Sequence, residues 1–138
     1  MPRVRSLSLA LVAAGCAWGG TAAAFSPKYI ACEGKVTIET RTDGKPQTSS
    51  EAVHEIYAYD DDSKNFYRHS DTHKTDDLEP VTAYTDKEIR WASKNVNVYG
   101  ASWEGVLDRS SLALKISYKE ETGTRTWAEQ CKPAQPPS

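Results

Sequence analysis

Between residues 112 and 118, the apolar Leu112, Leu114, Ile116 and Tyr118 alternate with Ala113, Lys115 and Ser117. A period of two places every second side chain on the same face, as in a strand with one side buried. A second alternation follows, with Trp127, Glu129 and Cys131 on one side and Thr126, Ala128 and Gln130 on the other. Turn formers punctuate both runs: Asp108-Arg109-Ser110 before the first and Glu121-Thr122-Gly123 before the second. The pattern ends on a cysteine, and another, Cys32, lies near the opposite end of the chain. This predicts a sheet whose first and last strands are tied together.

The front end reads as a targeting segment. Arg3 and Arg5 precede an uncharged, apolar or small run over residues 7–18, and Ala22-Ala23-Ala24 follows. A basic head, an apolar stretch too short to span a bilayer and a small-residue site describe a secretory signal peptide, with cleavage expected after Ala24. A second scheme stands beside it. Ala13-Ala14-Gly15-Cys16 resembles a bacterial lipobox, in which Cys16 is lipidated and tethers the product to a membrane, although Ala13 stands where a larger aliphatic is usual.

Cleavage after Ala24 leaves 114 of the 138 residues, enough for one domain with one core. It removes two arginines and no acid, so 15 basic residues face 19 acidic ones. That balance argues against nucleic acid as a partner, which requires a basic stripe. No segment beyond the signal is apolar enough to cross a membrane as a helix. Cys32 and Cys131 remain as an even pair in an exported chain and are expected to form a disulfide. Closing a loop of that length is worth about 4–5 kcal/mol in the chain-entropy account.

Along the chain, residues 30–39 alternate as a first strand, carrying Cys32 inward with Ile30, Val36 and Ile38. Asp43-Gly44 signals a turn, which Pro46 and residues 47–50 are expected to lengthen into a solvated loop. A second strand spans residues 51–60, with Tyr57 and Tyr59 of undecided facing. Six polar residues then precede the short aromatic run 66–69, as in a hairpin. Residues 70–79 are polar and expected to be mobile. Short strands follow at 81–84 and 88–93, with strand or loop open for 96–99. Gly100 and Gly105 are candidate bulges, and 132–138 a disordered tail. The fold class is all-β: a small antiparallel barrel or sandwich of about seven or eight strands within a single domain, residues 25–131. A closed or nearly closed barrel is favoured, since closure removes exposed edges.

Cys32-Glu33-Gly34, Leu107-Asp108-Arg109 with Leu112, and the terminal Cys131 together resemble small exported bacterial β proteins of unassigned activity. The resemblance implies a fold and a compartment, and no activity. Asp108 is expected to accept hydrogen bonds from its own turn, and Arg109 to cover apolar surface or pair with an acid. The chain is also similar to periplasmic lysozyme inhibitors, but only in size, compartment and strand pattern. Their S-G-x-x-Y segment and later W-x-K-G are absent, so no residue is carried over.

Candidate chemistry is sparse. Asp60, Asp62 and Asn65 suggest a calcium loop, but Lys64 occupies a ligand position and the required glycine and glutamate are missing, so a hairpin tip is the better reading. His69, Asp71 and His73 have zinc-like spacing only on a helix, and they fall in a loop. There is no nucleophile elbow, and no cofactor is implied. A catalytic role is therefore not expected. The tryptophans and tyrosines far outnumber phenylalanine, and Trp91, Trp103, Tyr57 and Tyr59 are the candidates for contacting a ligand.

The expectation is a monomeric, non-catalytic binding protein of the periplasm or envelope, or one secreted, whose partner is an envelope component, small molecule or protein. The alternative is an inhibitor of a cell-wall-degrading enzyme acting through residues 70–79. An aromatic-lined cavity would favour a small apolar ligand; a filled interior with one ordered acidic loop would favour the inhibitor.

Overall fold

The computed structural model describes residues 27–94 and 100–137. Cys16, the signal region and residues 96–99 lie outside the described residues. Nine antiparallel strands form one curled sheet: β1 (Lys28–Thr42), β2 (Lys45–Asp60), β3 (Asn65–Ser70), β4 (Thr75–Leu78), β5 (Val81–Tyr84), β6 (Glu88–Lys94), β7 (Ser102–Asp108), β8 (Ala113–Glu120) and β9 (Gly123–Ala134). Their order is β4-β3-β2-β1-β9-β8-β7-β6-β5. Consecutive strands thus pair with one another except β4 and β5, which lie at the two edges, and β1 meets β9 in the middle of the sheet.

The ladder itself is a half-barrel whose edges, β4 and β5, are consecutive in the chain. Following the antiparallel pairings around the sheet, β4 and β5 run in the same direction. They amount to one bent strand that pairs with β3 through its first half and with β6 through its second. The bend is a three-residue turn centred on Pro80, where the Val81 N–H donates to the Glu79 carbonyl at 2.9 Å. On either side of it, the Glu79 N–H reaches Phe66 and the Ala92 N–H reaches the Pro80 carbonyl. This explains how nine elements occupy the places of the seven or eight expected strands.

Pleating sends the apolar set inward. Tyr57, Phe66 and Trp91 stack at the centre, Tyr57 to Phe66 at 5.3 Å and Phe66 to Trp91 at 4.5 Å between ring centroids. Ile30, Ile89, Leu107, Leu114 and Ile116 surround them. The indole of Trp91 occupies the space where a side chain at position 105 would sit, so Gly105 is required by close approach. It lies in regular register with Trp91 and Ile116 and is not a bulge; the irregularity falls between Val81 and Ala83. Gly100 precedes β7 and takes no part in the ladder.

Cys32 and Cys131 lie directly opposite one another, 3.9 Å apart at Cα, and their sulfurs are bonded. The Cys131 N–H points away from β1, to the Leu112 carbonyl. The two cysteines therefore form a non-hydrogen-bonded pair, the position where side chains of neighbouring strands come closest.

At one end, side chains bridge elements that no ladder joins. Asp61, in the β2–β3 turn, accepts from Tyr84 at 2.7 Å and pairs with Arg109 at 2.7 Å and Lys28 at 3.3 Å. The Tyr84 hydrogen bond leads in holding the Asp61 carboxyl below its ordinary range, with Lys28 and Arg109 reinforcing it. Arg109 also lies over the rings of Tyr59 and Tyr84 and donates to the Thr85 carbonyl. Asp108 caps its own turn through the Ser110 and Ser111 amides. The expected roles of Asp108 and Arg109 are thus both present, and Arg109 both covers aromatic surface and pairs with an acid.

Several expectations need correction. Residues 45–50 are strand, because Asp43 and Gly44 both take positive φ (54° and 74°) and close a two-residue hairpin. Pro46 is tolerated because its nitrogen faces the side of β2 along which no described strand runs there. Residues 70–79 are not a mobile loop: β4 pairs with β3 from Tyr67–Leu78 to Ser70–Thr75. Lys132, Pro133 and Ala134 continue β9 against Ala31, Ile30 and Tyr29 instead of starting a tail. Leu112 sits in the turn at φ 57°, and β8 begins one residue later.

The double variant Cys32→Ala/Cys131→Ala, or reduction of the native protein, is expected to lower stability by about 2–5 kcal/mol. A shift of the urea midpoint to lower concentration checks this; an unmoved midpoint would mean the β1–β9 ladder holds without the bond.

Candidate functional site

The β2–β3 ladder covers only Tyr57–Arg68 to Asp60–Asn65. Beyond it β2 continues alongside β1, while β3 turns away into its hairpin with β4. The splayed strands leave an open notch of about 340 Å³, with His54, Glu55 and Ile56 on one wall and Arg68, His69 and Asp71 on the other.

Glu55 forms its floor. It shares the inward face with Tyr57 and lies opposite Cys32. One carboxylate oxygen accepts from the Tyr57 hydroxyl at 2.9 Å and pairs with Arg68 Nε at 3.1 Å. The other oxygen is buried without a hydrogen-bond partner, as are both oxygens of Glu129. Glu129 is itself only 5% exposed and projects from β9 opposite Gly34, where any side chain would run into the Ala128 and Glu129 backbone.

Two carboxylates in contact in a buried site do not both ionise. A proton held on one Glu129 oxygen and donated to the free oxygen of Glu55 gives two of these three oxygens a partner. Burial is the main force raising the Glu129 carboxyl, to about 8; the charge of Glu55 and its hydrogen bond add to this, and Arg68 opposes it. Burial also raises Glu79, with Arg68 opposing and Asp77 and Glu55 reinforcing. Desolvation likewise leads in raising the Tyr57 phenol, followed by the charge of Glu55. Among the described residues, a single guanidinium thus faces several carboxyl groups.

Above the notch the β3–β4 hairpin is well anchored. His69 Nδ1 lies 2.8 Å from Asp76 and its Nε2 lies 3.5 Å from Asp71. Asp76 also accepts from the Tyr29 hydroxyl at 2.7 Å, which is the leading cause that pushes Tyr29 up to about 12. The hairpin is therefore latched to β1 across its outer face.

The structure brings His69 and Asp71 together but holds His73 apart, its amide bonded to Ser70 in the turn. Among the described residues no group of three or more His, Cys, Asp or Glu is placed to hold a metal ion. Asp60 is occupied by its own turn, accepting from the Asp62 amide and the Ser63 hydroxyl, while Asn65 donates to Tyr67. Of the aromatic candidates, Tyr57 and Trp91 are 1% exposed and are core residues. Tyr59 and Trp103 are partly buried against that core, and Trp103 packs with Tyr118 and Trp127.

Sequence reasoning missed Glu55, Arg68, Glu79 and Glu129. A signal existed for two of them. Glu129 shares its parity with Trp127 and Cys131, and Glu55 shares its own with Tyr57, so each is a carboxylate on a face otherwise destined for the core. No protein-family model matches the chain, and comparison with curated proteins and with solved structures returned no match.

Between the ordinary glutamate range and about pH 8, the folded chain holds a proton on Glu129 that the unfolded chain has released. Stability is expected to fall as pH rises through that window. Glu129→Gln preserves the shape, can still donate to Glu55 and does not titrate. Urea midpoints measured from pH 5 to pH 8.5 should decline for the native protein and stay nearly level for the variant. Parallel declines would remove Glu129 as the source.

Proposed function

We propose that this is a non-catalytic, exported binding protein of the bacterial envelope whose partner is another protein with a basic surface. The observation that carries this reading is the contrast between a filled interior and an ordered acidic hairpin. Tyr57, Phe66 and Trp91 occupy the centre of the sheet, which disfavours an enclosed apolar ligand. The β3–β4 hairpin, by contrast, exposes Asp71 and Asp77 against a single exposed lysine, Lys74, and Leu78 at the end of β4 is 62% exposed. Exposed acids on the same hairpin as an exposed apolar residue suit a cationic protein surface, since charge complementarity steers association and apolar contact retains it.

The buried disulfide supports an oxidising compartment, in agreement with the secretory signal expected at the front of the chain. Among the described residues no helix is long and apolar enough to cross a membrane. Within this reading, inhibition of a cationic cell-wall-degrading enzyme is the specific form the acidic hairpin favours.

Purified mature protein is expected to bind a cationic lysozyme and slow its clearing of a cell-wall suspension. Asp71→Lys/Asp77→Lys, a pair of exposed positions, should weaken both effects by about tenfold or more. Failure to bind or inhibit a panel of cationic muramidases and amidases would overturn the reading.

A further inference from the structure

The edge of β2 beyond the notch has no neighbouring strand among the described residues. Its ladder with β3 covers Tyr57 to Asp60 alone, and no described strand lies along the same side of residues 45–56. Hairpin geometry identifies which groups are free. Thr42 and Lys45 close the two-residue turn and exchange backbone hydrogen bonds, so odd-numbered β2 residues face β1 and even-numbered ones face outward. Thr48, Ser50, Ala52, His54 and Ile56 therefore present N–H and C=O groups without a strand partner among the described residues, along about 26 Å of edge. Such a row is a template for another strand.

The edge runs directly into the notch, which Glu55 lines, and Glu129 is buried behind it. One oxygen of Glu55 and both of Glu129 have no hydrogen bond from other residues. We propose that the free edge of β2 receives an extended segment of a partner protein, and that a lysine or arginine of that segment enters the notch to pair with Glu55 and Glu129. The proposal rests on reading the molecule as a protein-binding protein and names the part of the partner it grips.

Charge selects the occupant. Glu55, Asp71 and Asp77 line the notch beside Arg68, His54 and His69, and Glu79 and Glu129 interact with Glu55 and Arg68 from behind it. Carboxyl groups thus outnumber the one guanidinium, and a cationic group is favoured over an anionic one. A second copy of this chain is the poorer match, because its own β2 edge offers Lys45 as the single lysine or arginine between residues 45 and 56. On entry of the cation, the proton shared by Glu55 and Glu129 passes to solvent and both carboxylates face the new charge. Backbone pairing supplies the grip and the carboxyl pair supplies the choice of side chain.

The test uses the disulfide-intact, isotope-labelled protein and a blocked peptide, Thr-Val-Thr-Lys-Thr-Val-Thr, beside counterparts with glutamate or norleucine at the centre. Amide shifts and exchange protection are expected at Ala52, His54 and Ile56. The lysine peptide should bind at least about tenfold tighter than the glutamate peptide, and calorimetry in two buffers should register proton release. Glu129→Gln should erase most of that preference while backbone pairing persists. Ala52→Pro, which removes an outward N–H and none facing β1, should abolish capture of all three peptides. Should that variant misfold, the comparison of native protein with Glu129→Gln decides the matter alone.

Equal affinity for the lysine and glutamate peptides, or shifts confined to other strands, would overturn the proposal. So would a dimer in sedimentation whose edge amides are protected without peptide. Inhibition of a cell-wall-degrading enzyme without any peptide effect would remove this receptor and leave the proposed function standing. Peptide capture without inhibition would do the reverse.

Discussion

The twelve-residue ladder between β1 and β9 is the constraint on which the rest of the molecule depends. It joins the first strand to the last, so every hairpin between them must return the chain to its starting line. The Cys32–Cys131 bond fixes that ladder at a single register. A one-residue slip would turn Ile30, Val36 and Trp127 out of the interior. The bond sits at a non-hydrogen-bonded pair and is covered by the core, so ladder and sulfur bridge reinforce one geometry.

Closure on the far side uses other means. Where β4 gives way to β5, backbone pairing changes partner at Pro80, and the gap is spanned by the chain itself and by side chains. Asp61, Tyr84 and Arg109 secure one end, while Tyr29, Asp76 and His69 latch the β3–β4 hairpin to β1. Freed from a continuous ladder, β3 is able to splay from β2, and this opens the acidic notch. The same divergence that leaves the barrel incomplete creates its most distinctive chemistry. A buried carboxyl pair opposes folding whenever both members are ionised. Its presence at the foot of an unpaired strand edge is readily understood if a cation is meant to arrive there.

Local pattern carried much of the architecture. Alternation at Leu114, Ile116 and Tyr118 identified β8, and the shared parity of Trp127 and Cys131 identified the inward face of β9. Turn chemistry at Asp108 and at Glu121-Thr122 placed two hairpins. Errors came where a local signal was overruled by position in the sheet. Pro46 and Pro133 suggested loop and tail, yet both lie in strands, because each nitrogen points to a side where no described strand runs. The polar run of β4 offered no apolar alternation, since all four of its residues are exposed. Glu55 and Glu129 were visible as acids on apolar faces, but they lie 74 positions apart in the chain. Only the ladder through β1 brings them together.

By itself, the sequence determined the all-β class, the pairing of the two cysteines and the identity of most inward residues, because period-two alternation and turn residues act within a few positions. Tertiary structure decided where the ladder stops, which strand keeps a free edge and which acids share a proton. Those outcomes depend on how strands distant in sequence curve past one another, and a run of neighbouring residues holds no information about that curvature.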